Sequence, residues 1–101
     1  MNGHCAIYAW DACGSAAKRK TVQSAHLDHV EINIGKIAVA WPIKDVGGQS
    51  IGSTFILKIA PVAEAEVLFR ADPYFGAGVW ERWEIHPFIP AAGEWIGGKI
   101  L

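Results

Sequence analysis

Residues 69–88 read FRADPYFGAGVWERWEIHPF, and within this stretch the chain passes from a helix through a turn into a strand. Proline donates no backbone hydrogen bond and restricts the residue before it, so Asp72 and Pro73 end the preceding helical pattern. Two glycines then favour a turn, and residues 79–88 carry aromatic and β-branched side chains that are typical of a final strand. Asp72 is therefore predicted at a helix-to-loop corner, where its carboxylate can face a cleft.

The elements upstream of this stretch are predicted from their hydrophobic periods. Residues 4–10 are apolar on both sides, as in a strand that is covered on both faces. Pro61 suits the first turn of a helix that leads directly to Asp72. Between them the pattern predicts a helix at 15–33, a short strand at 36–41 that Pro42 ends, a mobile glycine-rich connection, and a strand at 53–59.

The resulting order of strand, helix, strand, strand, helix, strand indicates an α+β fold of the ferredoxin-like type. Its simplest form is a four-stranded antiparallel sheet with both helices on one face. The other face would be bare, and a chain that is 51% hydrophobic makes it too apolar to remain in water. We therefore expect a single domain at residues 1–88, a homodimer formed by two such sheets, and a tail or partner-crossing arm at residues 89–101.

Composition argues against several classes of function. Nine basic residues against ten acidic ones give a net charge of -1, with one basic cluster at residues 18–20, so nucleic acid is not an expected partner. No apolar run reaches the roughly 18 to 20 residues of a membrane span, and the N-terminus does not resemble a secretion signal. We expect a cytoplasmic protein in which Cys5 and Cys13 are free thiols.

The first predicted helix carries candidate chemistry on one face. At 3.6 residues per turn, Arg19 and His26 lie only about 20° apart around the helix axis. His26 and His29 also invite a metal hypothesis, but a catalytic zinc site usually takes three protein ligands, and the others would have to come from distant elements. We therefore expect no metal and no cofactor.

A spaced set of features resembles the YCII-related family over nearly the whole chain. These features are Asp11 at the end of the first strand, Arg19 followed by His26, Pro42, IGS at 51–53 and ADPY at 71–74. The resemblance implies a small dimer of the ferredoxin-like, or dimeric α+β barrel, type. The sequence departs from the family at Gln23, where the family has a second arginine, and at Trp41, where a glycine is usual, so the shape of a substrate is open.

The resemblance implies a His–Asp pair in a cleft, formed here by His26 and Asp72. His26 would transfer a proton, Asp72 would orient its ring, and Arg19 would hold a negative group. Ser53 and Tyr74 would help to shape the substrate site. The implied activity is cofactor-independent proton transfer or elimination on a small aromatic or lactone-like molecule, as in an isomerase or lyase.

Structural alternatives exist for each of these residues. The His26–Asp72 pair can be an ordinary hydrogen bond between elements, Arg19 can form a surface salt bridge, and Ser53 can be a small residue that is tolerated beside a glycine. The aromatic residues can line a ligand pocket or belong to the core and an interface; these are Tyr8, Trp10, Trp41, Trp80 and Trp83. A second hypothesis for the whole protein is a binding or interaction module that uses the same cleft without turnover.

Overall fold

The structure is a computed structural model that describes residues 3–99. Its main elements are β1 (His4–Asp11), α1 (Ser15–Ile32), β2 (Ile37–Lys44), β3 (Ser50–Leu57), α2 (Val62–Arg70), α3 (Pro73–Gly76) and β4 (Trp80–Phe88). Two short strands follow, β5 (Ala92–Gly93) and β6 (Gly98–Lys99), and short 3-10 helices span Ile34–Lys36 and Glu94–Ile96. The predicted domain and tail also include residues 1–2 and 100–101, which lie outside the described residues.

The main sheet has the strand order β2-β3-β1-β4, and every neighbouring pair is antiparallel. This arrangement confirms the predicted α+β, ferredoxin-like fold. Strand β1 is central, and Cys5, Ile7 and Ala9 on one of its faces have no exposed surface. These side chains belong to one core cluster with Ala65 and Phe69 of α2, so the inner face of the sheet is the face that the helices cover.

Aromatic rings from three elements fill the centre of this core. Phe69 of α2 stacks on Trp80 of β4 with ring centroids 4.8 Å apart, and Phe55 of β3 meets Trp80 edge-on at 5.9 Å. Phe69 is 1% exposed, so its burial contributes roughly 1.5–3 kcal/mol to stability. Trp80 is thus clamped from two sides, which fixes the direction of its indole N–H.

The structure corrects the prediction that Pro42 ends the second strand. Strand β2 continues to Lys44, and Pro42 lies opposite Ser53 in the ladder. The proline is tolerated because β2 is an edge strand, where its missing N–H removes no hydrogen bond from a second neighbour. Strand β3 starts at Ser50, so the connection between the two strands is a short turn closed by a hydrogen bond from the Asp45 N–H to the Gln49 carbonyl.

The outer face of the sheet carries exposed side chains in the single chain. The second cover that the sequence predicts for β1 would have to come from a partner, and it stays a prediction. Tyr8 is 40% exposed and pairs across the ladders with Thr54, which in turn pairs with Trp41, itself 41% exposed. The outer face thus presents aromatic side chains around a buried threonine.

The C-terminal segment folds back on itself after β4. Strands β5 and β6 pair antiparallel, and the turn between them uses Gly97 in the left-handed region, at a φ of 82°. Trp95, between the two strands, is 86% exposed within this chain. Within residues 3–99, no helix combines the length and the apolar character that crossing a membrane requires.

Candidate functional site

A cavity of about 620 Å³ lies between α1 and the inner face of strands β2 and β3. Helix α1 contributes a single stripe of side chains to it, which includes Arg19, Gln23, His26 and Val30. Their spacing of three to four residues is the period of one helix face. Arg19 and His26, which the sequence places on one face of the helix, therefore line the same cavity.

His26 and Asp72 are in direct contact beside this cavity. His26 Nδ1 lies 2.8 Å from Asp72 Oδ1 and 2.9 Å from Oδ2. Asp72 is 2% exposed, whereas the His26 side chain keeps 15% of its surface exposed. A carboxylate can only accept, so Nδ1 carries the shared proton, and the Nε2 side of the imidazole is left for the cavity that His26 lines.

Helix α3 explains how a buried carboxylate can be held at this point. Asp72 is the N-cap of α3, with Pro73 in the first turn, and its Oδ1 accepts a hydrogen bond of 2.9 Å from the Tyr74 N–H. Aspartate at an N-cap and proline at the first helical position are a common start for a helix. Asp72 was correctly predicted at a corner between elements, but this short helix was not predicted, although the Asp-Pro signal was present.

Tyr74 packs against the imidazole of His26. The two rings are parallel within 6°, with centroids 3.8 Å apart, and Tyr74 is 4% exposed. Burial raises the pKa of the Tyr74 phenol, the Arg19 guanidinium opposes this shift, and the Asp72 carboxylate adds to it. With its face on His26 and its N–H on Asp72, Tyr74 positions both members of the pair.

Arg19 is held by a carboxylate that the sequence analysis did not assign to the site. Its Nε and Nη2 donate to the two carboxylate oxygens of Asp11 at 2.9 and 2.8 Å. Nη2 also donates to the Gly52 carbonyl at 3.0 Å and to Ser53 Oγ at 2.9 Å. The bidentate pair with Asp11 fixes the plane of the guanidinium. The position of Asp11 at the end of β1 was the only signal in the sequence for this pair.

Ser53 lies at the meeting point of Arg19 and Trp80. Its Oγ accepts from Arg19 Nη2 and, at 3.2 Å, from Trp80 Nε1, and the residue is 5% exposed. Two donors occupy the two lone pairs of the hydroxyl, so its own proton remains for an acceptor elsewhere. Trp80 is the other site residue that sequence reasoning missed, because it was weighed only as a generic aromatic.

His29 lies apart from His26. It lines a second cavity of about 970 Å³, formed by the end of α1, one side of α2 and the loop before α2. Its Nε2 is buried and has no hydrogen-bond partner. Among the described residues, no three His, Cys, Asp or Glu side chains form a cluster that could hold a metal ion.

Comparison of the sequence with known proteins identifies the family of this chain. The model of the YCII-related domain matches residues 4–89. The chain belongs to the YCII-related family. Curated relatives named Protein YciI, from Escherichia coli and Shigella flexneri, are each 33% identical to it, with 81% of this chain and 92% of the relative covered.

Solved structures extend the comparison to three dimensions. The YCII-related chain is similar to 5-chloro-2-hydroxyhydroquinone dehydrochlorinase (TftG) from Burkholderia phenoliruptrix AC1100, solved in complex with 2,5-dihydroxybenzoquinone. The TM-score is 0.77 at 25% identity, with 90% of this chain and 96% of that chain covered. A protein from Agrobacterium tumefaciens shares the fold at a TM-score of 0.56 and 16% identity.

Proposed function

We propose that this YCII-related protein is a small enzyme that transfers a proton on a compact, hydroxylated ring, with His26 as general acid and base. The observation that carries the proposal is the contact of His26 Nδ1 with a carboxylate that is 2% exposed, beside a cavity large enough for such a ring. Asp72 holds the tautomer in which Nε2 has a free lone pair. This is the form of histidine that can accept a proton near neutral pH.

The proton balance of the proposed reaction is simple. Nε2 takes a proton from a hydroxyl or carbon of the substrate, and Asp72 stabilises the imidazolium that forms. In an isomerisation the same proton returns to another atom of the ring. In an elimination a leaving group departs with its electron pair, and the proton goes from His26 to solvent.

The proposed substrate class follows from the donors in the cavity and from the dehydrochlorinase relative. The unused proton of Ser53 can be donated to a carbonyl or phenolate oxygen, and Arg19 lies beside it. A structure 25% identical to this chain holds 2,5-dihydroxybenzoquinone, a flat ring that carries such oxygens. Phe55 and Tyr74 also line the cavity, and aromatic side chains suit a planar molecule.

The competing proposal is a ligand-binding module without turnover, and it is favoured by the many protein partners that Arg19 and Ser53 already have. The chlorinated hydroxyhydroquinone named for the relative is a suitable probe. Chloride release by the wild type that falls at least about 100-fold in His26→Ala, with binding retained, supports the enzyme. The matched control is His86→Ala, because His86 also pairs with a carboxylate, Glu84 at 3.1 Å, but is exposed.

Outcomes of this experiment separate the two proposals. Binding without conversion at high protein concentration supports the binding module and contradicts the enzyme. Conversion that persists in His26→Ala, or that falls equally in His86→Ala, contradicts the assignment of His26. Failure of the wild type to bind any hydroxylated ring contradicts both proposals.

We also propose that two copies associate through the outer face of the sheet, with residues 89–99 serving as an arm toward the partner. The exposed aromatic side chains Tyr8 and Trp41, together with the exposed Trp95, support this arrangement. Light scattering should give the mass of a dimer, and Tyr8→Lys should yield monomer because it buries an unpaired charge. Val67→Lys, at a 71% exposed position on α2, is the control and should remain dimeric.

We propose a cytoplasmic location on the basis of the thiols. Cys5 is buried and Cys13 is exposed, and both are free. An exposed free thiol suits a reducing compartment. Fractionation of the native host tests this, and recovery in an oxidising compartment would contradict it.

A further inference from the structure

The cavity beside His26 has an uneven distribution of charge. Arg19, Lys20 and Lys44 line it, and within residues 3–99 no Asp or Glu side chain is among its lining residues. The nearby carboxylates of Asp11 and Asp72 lie behind Arg19 and His26, to which they are bonded. Asp11 offsets the charge of Arg19, so the uncompensated positive charge of the cavity comes from the two lysines.

Lys20 lies on α1 and Lys44 on β2, so the two lysines line the cavity from two different elements. Lys20 precedes His26 by six residues on α1, which places it about 9 Å along the helix axis from His26. Lys44 ends β2, and its Nζ donates to Ser50 Oγ at 3.0 Å. A neutral hydroxyl partner leaves the ammonium charge in place. The side chains of Gln23 and Gln49 line the same space and add amide donors.

We infer that Lys20 and Lys44 form a second anion subsite, which binds a carboxylate carried by the substrate ring. The inference rests on the proposed function, because it assumes that the ring lies between His26 and Ser53. Lys20 and Lys44 line the same cavity as His26 and Ser53, so a ring held there can present a carboxylate substituent to the two ammonium groups. The substrate class is thereby narrowed to hydroxylated aromatic carboxylates.

The expected gain in affinity follows from the two charges. At roughly 6 Å in a dielectric near that of water, one lysine favours an anion about threefold, and two favour it about tenfold. Added salt should reduce this gain, because the screening length falls from about 10 Å at 0.1 M to about 3 Å at 1 M salt.

Calorimetric titration with two matched ligands tests the subsite. Gentisate is a dihydroxylated benzene ring with a carboxylate, and gentisamide is its neutral amide. Wild-type protein should bind gentisate about tenfold more tightly than gentisamide at low salt. The double variant Lys20→Gln with Lys44→Gln should lose this preference and keep its affinity for gentisamide. The control is Lys36→Gln with Lys58→Gln, which removes two lysines that line the second cavity and should keep the preference.

Each outcome decides the inference. Equal affinities of the wild type for the two ligands overturn the subsite and leave the proposed proton-transfer function standing. An equal loss of preference in the control variant also overturns it, because the effect is then one of overall charge. If neither ligand binds, the subsite and the proposed binding of hydroxylated rings fall together.

Discussion

Replacement of Asp72 tests the role of the carboxylate in two separable ways. Asp72→Ala removes the cap of α3, which costs about 1 kcal/mol, and the hydrogen bond from His26, which costs a further 1–2 kcal/mol. Part of this loss is offset, because the variant no longer buries the charge of the Asp72 carboxylate. We therefore expect the free energy of unfolding to fall by about 2 kcal/mol in total. Asp72→Asn keeps a capping oxygen for the Tyr74 N–H and should cost about half as much.

The asparagine variant should also change the tautomer of His26. The amide can direct its oxygen to the Tyr74 N–H and its NH2 group to His26 Nδ1, which must then accept. Nε2 would carry the proton, and the lone pair that faces the cavity would be lost. Turnover should therefore fall by about 100-fold or more although the fold persists.

Urea unfolding and nitrogen-15 NMR of the imidazole in alkaline buffer measure the two effects. Asp45→Asn is the matched control, because Asp45 is an exposed carboxylate that accepts one backbone N–H, from Gln49 at 3.0 Å. It should change stability by no more than about 0.5 kcal/mol. Two results would contradict the roles given to the Asp72 carboxylate: Asp72→Ala being no less stable than this control, or His26 keeping its proton on Nδ1 in Asp72→Asn.

Three further outcomes are expected. Gly52→Ala should cost at least about 1–3 kcal/mol in urea unfolding, because its Cβ would lie 2.4 Å from a carbonyl oxygen of β1, whereas Gly35→Ala meets nothing within 4 Å and should be tolerated. Burial raises the pKa of Tyr74 above its usual 10.0, so stability should fall as pH rises above that value, where only the unfolded phenol ionises, and Tyr74→Phe should reduce this fall. A thiol reagent should modify Cys13 quickly and Cys5 only on unfolding, because burial also raises the pKa of the Cys5 thiol; two fast equivalents would contradict this.

Sequence patterns within a single helix or turn predicted those features of the site that one secondary-structure element determines. Helix periodicity aligned Arg19 with His26, and the proline after Asp72 placed its carboxylate at an element boundary. The same periodicity separates His29 from this site, because His26 lies at one edge of the stripe that lines the first cavity and His29 is about 60° further around the axis. That angle is enough to move His29 from one cavity to the other.

Features that depend on tertiary neighbours could not be predicted from local patterns. Pro42 can continue a strand only because β2 is at the sheet edge, which is a property of strand order. Asp11 meets Arg19 because β1 lies next to β3, and Trp80 reaches Ser53 because two core phenylalanines fix its ring. No spacing in the sequence encodes these contacts, since they join residues through the register of three strands.

Each of the two carboxylates of the site is bonded to a residue that lines the cavity. Asp72 braces His26 and Asp11 braces Arg19, and the exposed fractions of these carboxylate side chains are only 2% and 9%. Burial of a charge costs several kcal/mol, and an apolar pair of similar volume would often be as stable. Stability alone therefore does not explain why two such pairs converge on one cavity. Each pair instead fixes the direction of a group that can donate to, or exchange a proton with, a bound molecule, as the proposed proton-transfer function requires.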